Sequence, residues 1–379
     1  MSDFLFFKLK SVSYGSYIYF ADSLADALIK MGDSVTFFDS EIEPLENMER
    51  LIGTHFDAIF DFNSALPRVT MDDDSYFLNH LDGPFYDIIL DHPLYHHDSL
   101  KHPIENMHVL CLDKKHVDYI KENYPHIKSV DFFAMTGSRV KKSEKKDIDV
   151  LFCGSHTAST EVMDVLYKIP PFMRQITTDV IDLMRDDSSL QVHEALTALL
   201  PSLDDTVAEL FPLHVQACFL ADTYLRALER EQVIKAVAAS KVPLTLCGNG
   251  WKKLDVPYDS NITYIEDTPF FDTFSLMSRA KISLNIMPLF TAGTHDRVYS
   301  SMLNGSLCVT DPSSVLKEQF SDKKDLYFAD INHPTSFAEI VKDLLESPSE
   351  MESISESGQK KALAFHTWEN RASLLKDIL

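Results

Sequence analysis

The sequence predicts two doubly wound α/β domains, the second interrupted by a block of helices. Three observations carry that reading. Short apolar runs alternate with stretches of helical spacing through roughly the first 150 residues, and the same alternation resumes after residue 243. Most of these runs are apolar throughout, as in strands covered on both faces of a parallel sheet. Between the two alternating regions, Leu213 to Val242 contains neither Gly nor Pro, which favours one long helix or two abutting ones.

In chain order, Phe4–Leu9 is the first strand, and Tyr17–Met31 follows with Phe20, Leu24, Leu28 and Met31 at helical spacing. Gly32 stands where the helix should end. Ser34–Phe38, Phe56–Phe62, Tyr86–Leu90 and Met107–Leu112 are the next strands. A solvated charge cluster, Lys141–Lys146, marks the domain boundary. The strand pattern restarts at Ile148–Cys153, and the helical block covers about residues 160–240. Strands Leu244–Cys247, Ile262–Ile265, Ile282–Met287 and Leu307–Thr310 then alternate with helices Phe271–Arg279 and Asp296–Asn304. Helices Glu339–Leu345, Met351–Phe365 and Thr367–Leu379 close the chain. The expected domains are therefore 1–145 and 146–365, with 366–379 a terminal helix.

Length and charge narrow the function. At roughly 100–200 residues per domain, 379 residues allow two or three domains. The 58 acidic and 35 basic residues leave a net charge of −23, which repels a phosphate backbone and an anionic membrane surface. Nucleic acid is excluded as a partner of the whole surface; a local basic pocket for a small anion is not. The eleven glycines fall so that neither G-x-G-x-x-G nor the Walker-A pattern can be assembled. Five scattered cysteines contain no C-x-x-C pair, against a zinc ribbon or a disulfide framework. Lys8 and Lys10 interrupt the N-terminal apolar run too soon for a signal peptide, and no long apolar run suggests a transmembrane segment. A cytoplasmic protein is expected.

Ligands of open parallel sheets bind beyond the carboxyl ends of the strands. There the segment Asn285–Arg297 is richest: a strand ends at Pro288, a loop passes Gly293, and Thr294 is placed to cap the helix that follows. Free N–H groups, the helix dipole and Arg297 in the first turn suit a phosphate, while Asp296 disfavours a highly charged one; an ordinary capped helix is the competing reading. Asp91 and His92, directly after Tyr86–Leu90 and fixed by Pro93, are the base candidates, against a hydrogen-bonded loop turn. Gly15, at the opening of the first helix, and Ser155 with His156, after Ile148–Cys153, are phosphate or acceptor contacts or simple turns and caps. Asp72, Asp73 and Asp74 lie in a polar stretch, His96 and His97 are adjacent, and neither group is assigned a metal.

The run Ile282–Asp330 resembles the C-terminal domain of bacterial GT-B glycosyltransferases, in the group labelled spore-maturation-protein-like or glycosyl transferases group 1. The matching residues are Asn285-Ile286-Met287-Pro288, Gly293, Arg297 and Asn304-Gly305-Ser306-Leu307-Cys308-Val309-Thr310-Asp311. Gly248-Asn249-Gly250-Trp251 resembles the group's G-x-G-W, and His366-Thr367-Trp368-Glu369-Asn370-Arg371-Ala372 its terminal H-T-W-x-x-R-A.

The resemblance implies two Rossmann-like domains, with a nucleotide-sugar donor held by the second and a glycan, protein or small-molecule acceptor in the cleft against the first. Gly293, Thr294, His295 and Arg297 would face the donor sugar and diphosphate. Gly248, Asn249, Gly250 and Trp251 would lie near the base, and Asp311 in the floor behind. Many retaining members carry a spaced pair of glutamates here; this chain has Ala292 and Ser300, so ribose recognition and the retaining mechanism do not transfer. No cofactor and no metal are expected. The alternatives are a non-catalytic nucleotide-sugar or sugar binding protein and a sugar-nucleotide epimerase.

Overall fold

The computed structural model describes residues 1–9, 15–141, 145–200 and 210–379. They form two compact units. One takes Met1–Met135, Glu209–Gln216 and Trp368–Leu379; the other takes Thr136–Ala208 and Ala217–Thr367.

The first unit is built on β1 (Asp3–Lys8), β2 (Ser34–Asp39), β3 (Ala58–Phe62), β4 (Phe85–Ile89), β5 (Met107–Cys111) and β6 (Ser129–Phe132). They pair in parallel in the order β2-β1-β3-β4-β5-β6. Every residue of β3 and β4 is buried, which explains why both read as continuous apolar runs broken only by one aspartate each. Helix Ser16–Lys30 starts after Gly15 in the left-handed region (φ 72°) and stops at Met31 before Gly32 (φ 94°), burying Phe20, Leu24 and Leu28.

The second unit is built on β7 (Ile148–Cys153), β8 (Leu244–Cys247), β9 (Ile262–Ile265), β10 (Ala280–Asn285), β11 (Leu307–Thr310) and β12 (Tyr327–Phe328). They are all parallel, in the order β12-β11-β10-β7-β8-β9. The chain runs outward from β7 through β8 to β9, then restarts on the other side at β10. The strand order therefore reverses between β7 and β10, the position at which doubly wound sheets bind ligands. Helices Ser159–Leu166, Pro171–Asp186, Val192–Leu199, Phe211–Ala217 and Phe219–Ala239 make up the described part of the helical block. The last packs Val233, Ile234 and Val237 into the core under β7, β8 and β10. Of the two readings open for Leu213–Val242, abutting helices are the one found.

Several details differ from expectation. The strand expected at Ile282–Met287 begins and ends two residues earlier, because Asn285 turns its side chain into a polar network. The helix expected at Phe271–Arg279 opens as a tight turn, Phe270–Asp272, before Thr273–Arg279. β6, β12 and helix Ser314–Gln319 were not anticipated. The charge cluster is not uniformly solvated: Lys146 donates to the carbonyl of Ala280 at 2.7 Å, and burial lowers its pKa to about 8. Its neighbours Lys142, Ser143 and Glu144 lie outside the described residues, as do Ser13 and Tyr14 beside Gly15.

The units divide at Thr136 rather than near 145, and the terminal helix Trp368–Ile378 belongs to the first unit. There Trp368 Nε1 donates to the Tyr19 hydroxyl at 3.2 Å, and Lys376 pairs with buried Asp33 at 2.7 Å. Among the described residues, no helix is long and apolar enough to cross a membrane.

Candidate functional site

The carboxyl ends of β7 and β8 are tied together turn against turn. Gly154 N–H donates to Cys247 O at 2.8 Å and His156 N–H to Asn249 O at 2.9 Å. A Cβ on Gly248 (φ 132°) would lie 2.5 Å from Gly154 O, and one on Gly250 (φ 93°) 2.4 Å from His156 O. Glycine is therefore required at both positions. Trp251 is only 1% exposed: its Nε1 donates to Gly154 O at 2.7 Å, His156 stacks on it and Phe152 meets its edge. It offers no open face to a nucleotide base and instead anchors both turns. His156 is equally committed, with Nε2 at 3.0 Å from Glu231, whose carboxylate also accepts from Ser159 N–H and Oγ. Asn249 is engaged with Asp267 through both ends of its amide.

Across the switch point, Asn285 at the end of β10 donates to Thr310 Oγ1 and accepts from Arg297 Nη1, each at 2.8 Å. Arg297 is 8% exposed and lies over the Phe152 ring of β7. The guanidinium thus spans the two central strands. The helix cap is His295, not Thr294: its Nδ1 accepts from Arg297 N–H at 3.1 Å. Thr294 lies one residue earlier, buried, with no hydrogen-bond partner for its hydroxyl among the described residues. The loop through Gly293 is held by Ser313 Oγ, which donates to Gly293 O at 2.6 Å. Asp311 accepts from Met287 N–H at 2.8 Å, and burial raises its pKa to about 7.

Helix Phe219–Ala239 adds what the sequence reading missed. Arg230 Nη1 donates to Ser155 O at 3.2 Å, and its charge acts on His295; the charge of Arg226 acts on Arg297. Burial, followed by the opposing influence of Asp296, leaves the His295 imidazole below its ordinary pKa. Glu229, between the two arginines, is pushed well above the usual carboxylate range by burial and then by Asp311 and Asp222. The signal was present: arginines four residues apart occupy one face of a helix. Three guanidiniums gather near the carboxyl ends of β7 and β10 in a chain of net charge −23.

In the first unit, His92 is 4% exposed and caps the turn Pro93–His96, its Nδ1 accepting from Leu94 N–H at 3.0 Å. The loop-turn alternative thus describes His92, whereas Asp91 stays partly exposed and acts electrostatically on His96. Gly15 opens its helix with no heavy atom within 4 Å of a would-be Cβ. Asp73 accepts from Ser75 N–H in an exposed turn.

Residues 226–377 match the family model described as glycosyl transferase-like. The glycosyl transferase-like match is thus confined to those residues, and the chain as a whole has the GT-B fold. Three solved structures show the same architecture over the whole of this chain. The DNA-modifying enzyme β-glucosyltransferase, studied with and without uridine diphosphoglucose, aligns over 98% of its own length at 11% identity, with a TM-score of 0.59. Sucrose-phosphate synthase from Thermosynechococcus elongatus aligns over 98% at 9% identity, TM-score 0.58. AviGT4, a glycosyltransferase of avilamycin A biosynthesis, aligns over 96% at 11% identity, TM-score 0.54. The comparison with curated proteins gave no match. In the GT-B frame, the second unit carries the residues that resembled the family's C-terminal domain. The terminal H-T-W-x-x-R-A is split: His366 stacks on Tyr299 in the second unit, and Trp368 begins the helix of the first.

Proposed function

We propose that the chain transfers a sugar from a uridine diphosphate sugar to an acceptor hydroxyl. The diphosphate sits against Arg297, Arg230 and Arg226 at the β7/β10 switch point. The observation that carries this reading is the guanidinium cluster itself. Arg226 is paired with Asp222 at 3.4 Å, but the repulsion that remains among the three cations is relieved by an anionic ligand. The position is where a doubly wound sheet receives ligands, and the N-terminus of helix Asp296–Leu303 adds its dipole. The uridine nucleotide is taken from β-glucosyltransferase, whose substrate is uridine diphosphoglucose.

During transfer, negative charge grows on the leaving diphosphate, and guanidiniums held in place by Asn285 and Ser155 stabilise it without reorganising. Asp91, at the carboxyl end of β4, takes the proton from the acceptor hydroxyl. No metal ion is required in this scheme, so UDP binding should survive EDTA.

Calorimetry with UDP, GDP, dTDP and CDP, followed by assay of nucleotide released from the matching sugar donor, tests the proposal. UDP binding that weakens about ten- to hundredfold in Arg230→Ala supports it. Absence of binding by any nucleoside diphosphate overturns it. Nucleotide binding without turnover on any acceptor would favour the binding-protein alternative.

A further inference from the structure

Beside the guanidinium cluster the second unit contains a cavity of about 390 Å³, within the size range of ligand pockets. Its wall combines the loops after β10, β11 and β12 with Glu229 and with the turn at Ser188 and Ser189 in the helical block. We infer that this cavity receives the transferred sugar of the donor, that the sugar is an uncharged one, and that Glu229 recognises its hydroxyls. The inference rests on the donor reading above and adds the class of sugar.

Three features of the wall lead to it. First, the polar groups suit hydroxyls. Glu229 is half-buried on the wall with no side-chain hydrogen bond among the described residues, and the Thr291 hydroxyl on the same wall is buried without a hydrogen-bond partner among them. Buried polar groups need partners, and a sugar's hydroxyls both donate and accept. Burial pushes the Glu229 carboxyl well above the usual carboxylate range, and its oxygens suit the hydroxyls of an uncharged sugar.

Second, the charge balance is wrong for an acidic sugar. Lys317 faces three carboxyl groups, those of Glu229, Asp311 and Asp330. Burial already raises Glu229 and Asp311 above the ordinary carboxylate range, so the wall disfavours negative charge, and a uronate carboxylate placed there would meet the same desolvation penalty. Third, the cavity adjoins the cations: Arg230 and Arg226 act electrostatically on Glu229, and Arg297 acts on Asp311. A sugar linked to a diphosphate on those arginines is within reach of the wall.

The test compares UDP, UDP-glucose and UDP-glucuronate by calorimetry on the full chain, for the parent, Glu229→Ala and Glu229→Gln. The parent should bind UDP-glucose at least about tenfold more tightly than UDP-glucuronate. Glu229→Ala should lose about tenfold in UDP-glucose affinity and nothing in UDP affinity. Glu229→Gln, which donates and accepts, should keep most of it. Equal binding of the two sugar nucleotides, or equal losses for UDP and UDP-glucose in Glu229→Ala, overturns the inference while leaving the donor reading intact. If the parent does not bind UDP, both fall together.

Discussion

Arg297 has two jobs that a single substitution confounds. In the proposed site it meets the donor's charge, and it also satisfies the buried side-chain carbonyl of Asn285. Removing it leaves that acceptor bare, at a cost of about 1–3 kcal/mol. Arg297→Ala should therefore lower both UDP affinity and the midpoint of urea unfolding, whereas Arg230→Ala should lower mainly the affinity. Equal unfolding midpoints for the parent and Arg297→Ala would show that the Asn285 contact is energetically idle. His92 caps a buried turn. As that cap it should cost about 1 kcal/mol when replaced by alanine, and His92→Asn, which keeps a side-chain acceptor, should recover most of that. Asp91→Asn should instead reduce kcat by about 10²–10⁴-fold with UDP affinity unchanged. A kcat equal to that of the parent would remove Asp91 from the mechanism.

At the scale of elements, β3 and β4 carry a feature absent from ordinary parallel strands. Asp61 and Asp87 stand directly opposite each other in register, both buried. Asp61 accepts from Leu66 N–H; Asp87 accepts from the N–H and the hydroxyl of Ser64. Together they hold the loop after β3, where Asn63 and Ser64 both have φ of 56°. Burial raises both acids, to about 7 and about 8, with Asp61 further raising Asp87. Because the folded values exceed the unfolded ones, their contribution to stability is complete below about pH 4 and is lost as pH rises through 7 to 8. Unfolding free energy measured from pH 5 to 9 should decline over that window, and Asp87→Asn should flatten the decline. A parent profile that is already flat would contradict it.

Legibility also differs by element. β8, β9 and β11 were bounded correctly because each is a short β-rich run between turn residues. Ser129–Phe132 and Tyr327–Phe328 escaped because one alternates polar residues and the other is two residues long. The glycines and Arg297 were visible as motif positions. What Trp251, His156 and His92 do was not, because a residue type in a motif does not reveal whether its polar atoms face a ligand or a neighbouring turn. Arg226, Glu229 and Arg230 escaped for another reason: they belong to a helix remote in sequence from the loops they serve.

At the scale of the whole molecule, the net charge of −23 bears on how the proposed anionic donor would arrive. Most of the surface repels it, so the cationic site works at short range; added salt screens both the repulsion and the attraction. The position of the C-terminal helix has a further consequence, in the timing of folding during synthesis. The second unit is, in chain terms, an insertion within the first. Residues up to Met135 are made before the second unit, yet the helix that covers Tyr19 and Phe20 and pairs with Asp33 is made after it. At about 5–20 residues per second, the first unit waits tens of seconds or less for its final piece, while the second has all of its sequence by Thr367. The unit that begins the chain is thus the later to finish, and for that interval its apolar helix face is exposed to chaperones and to other nascent chains.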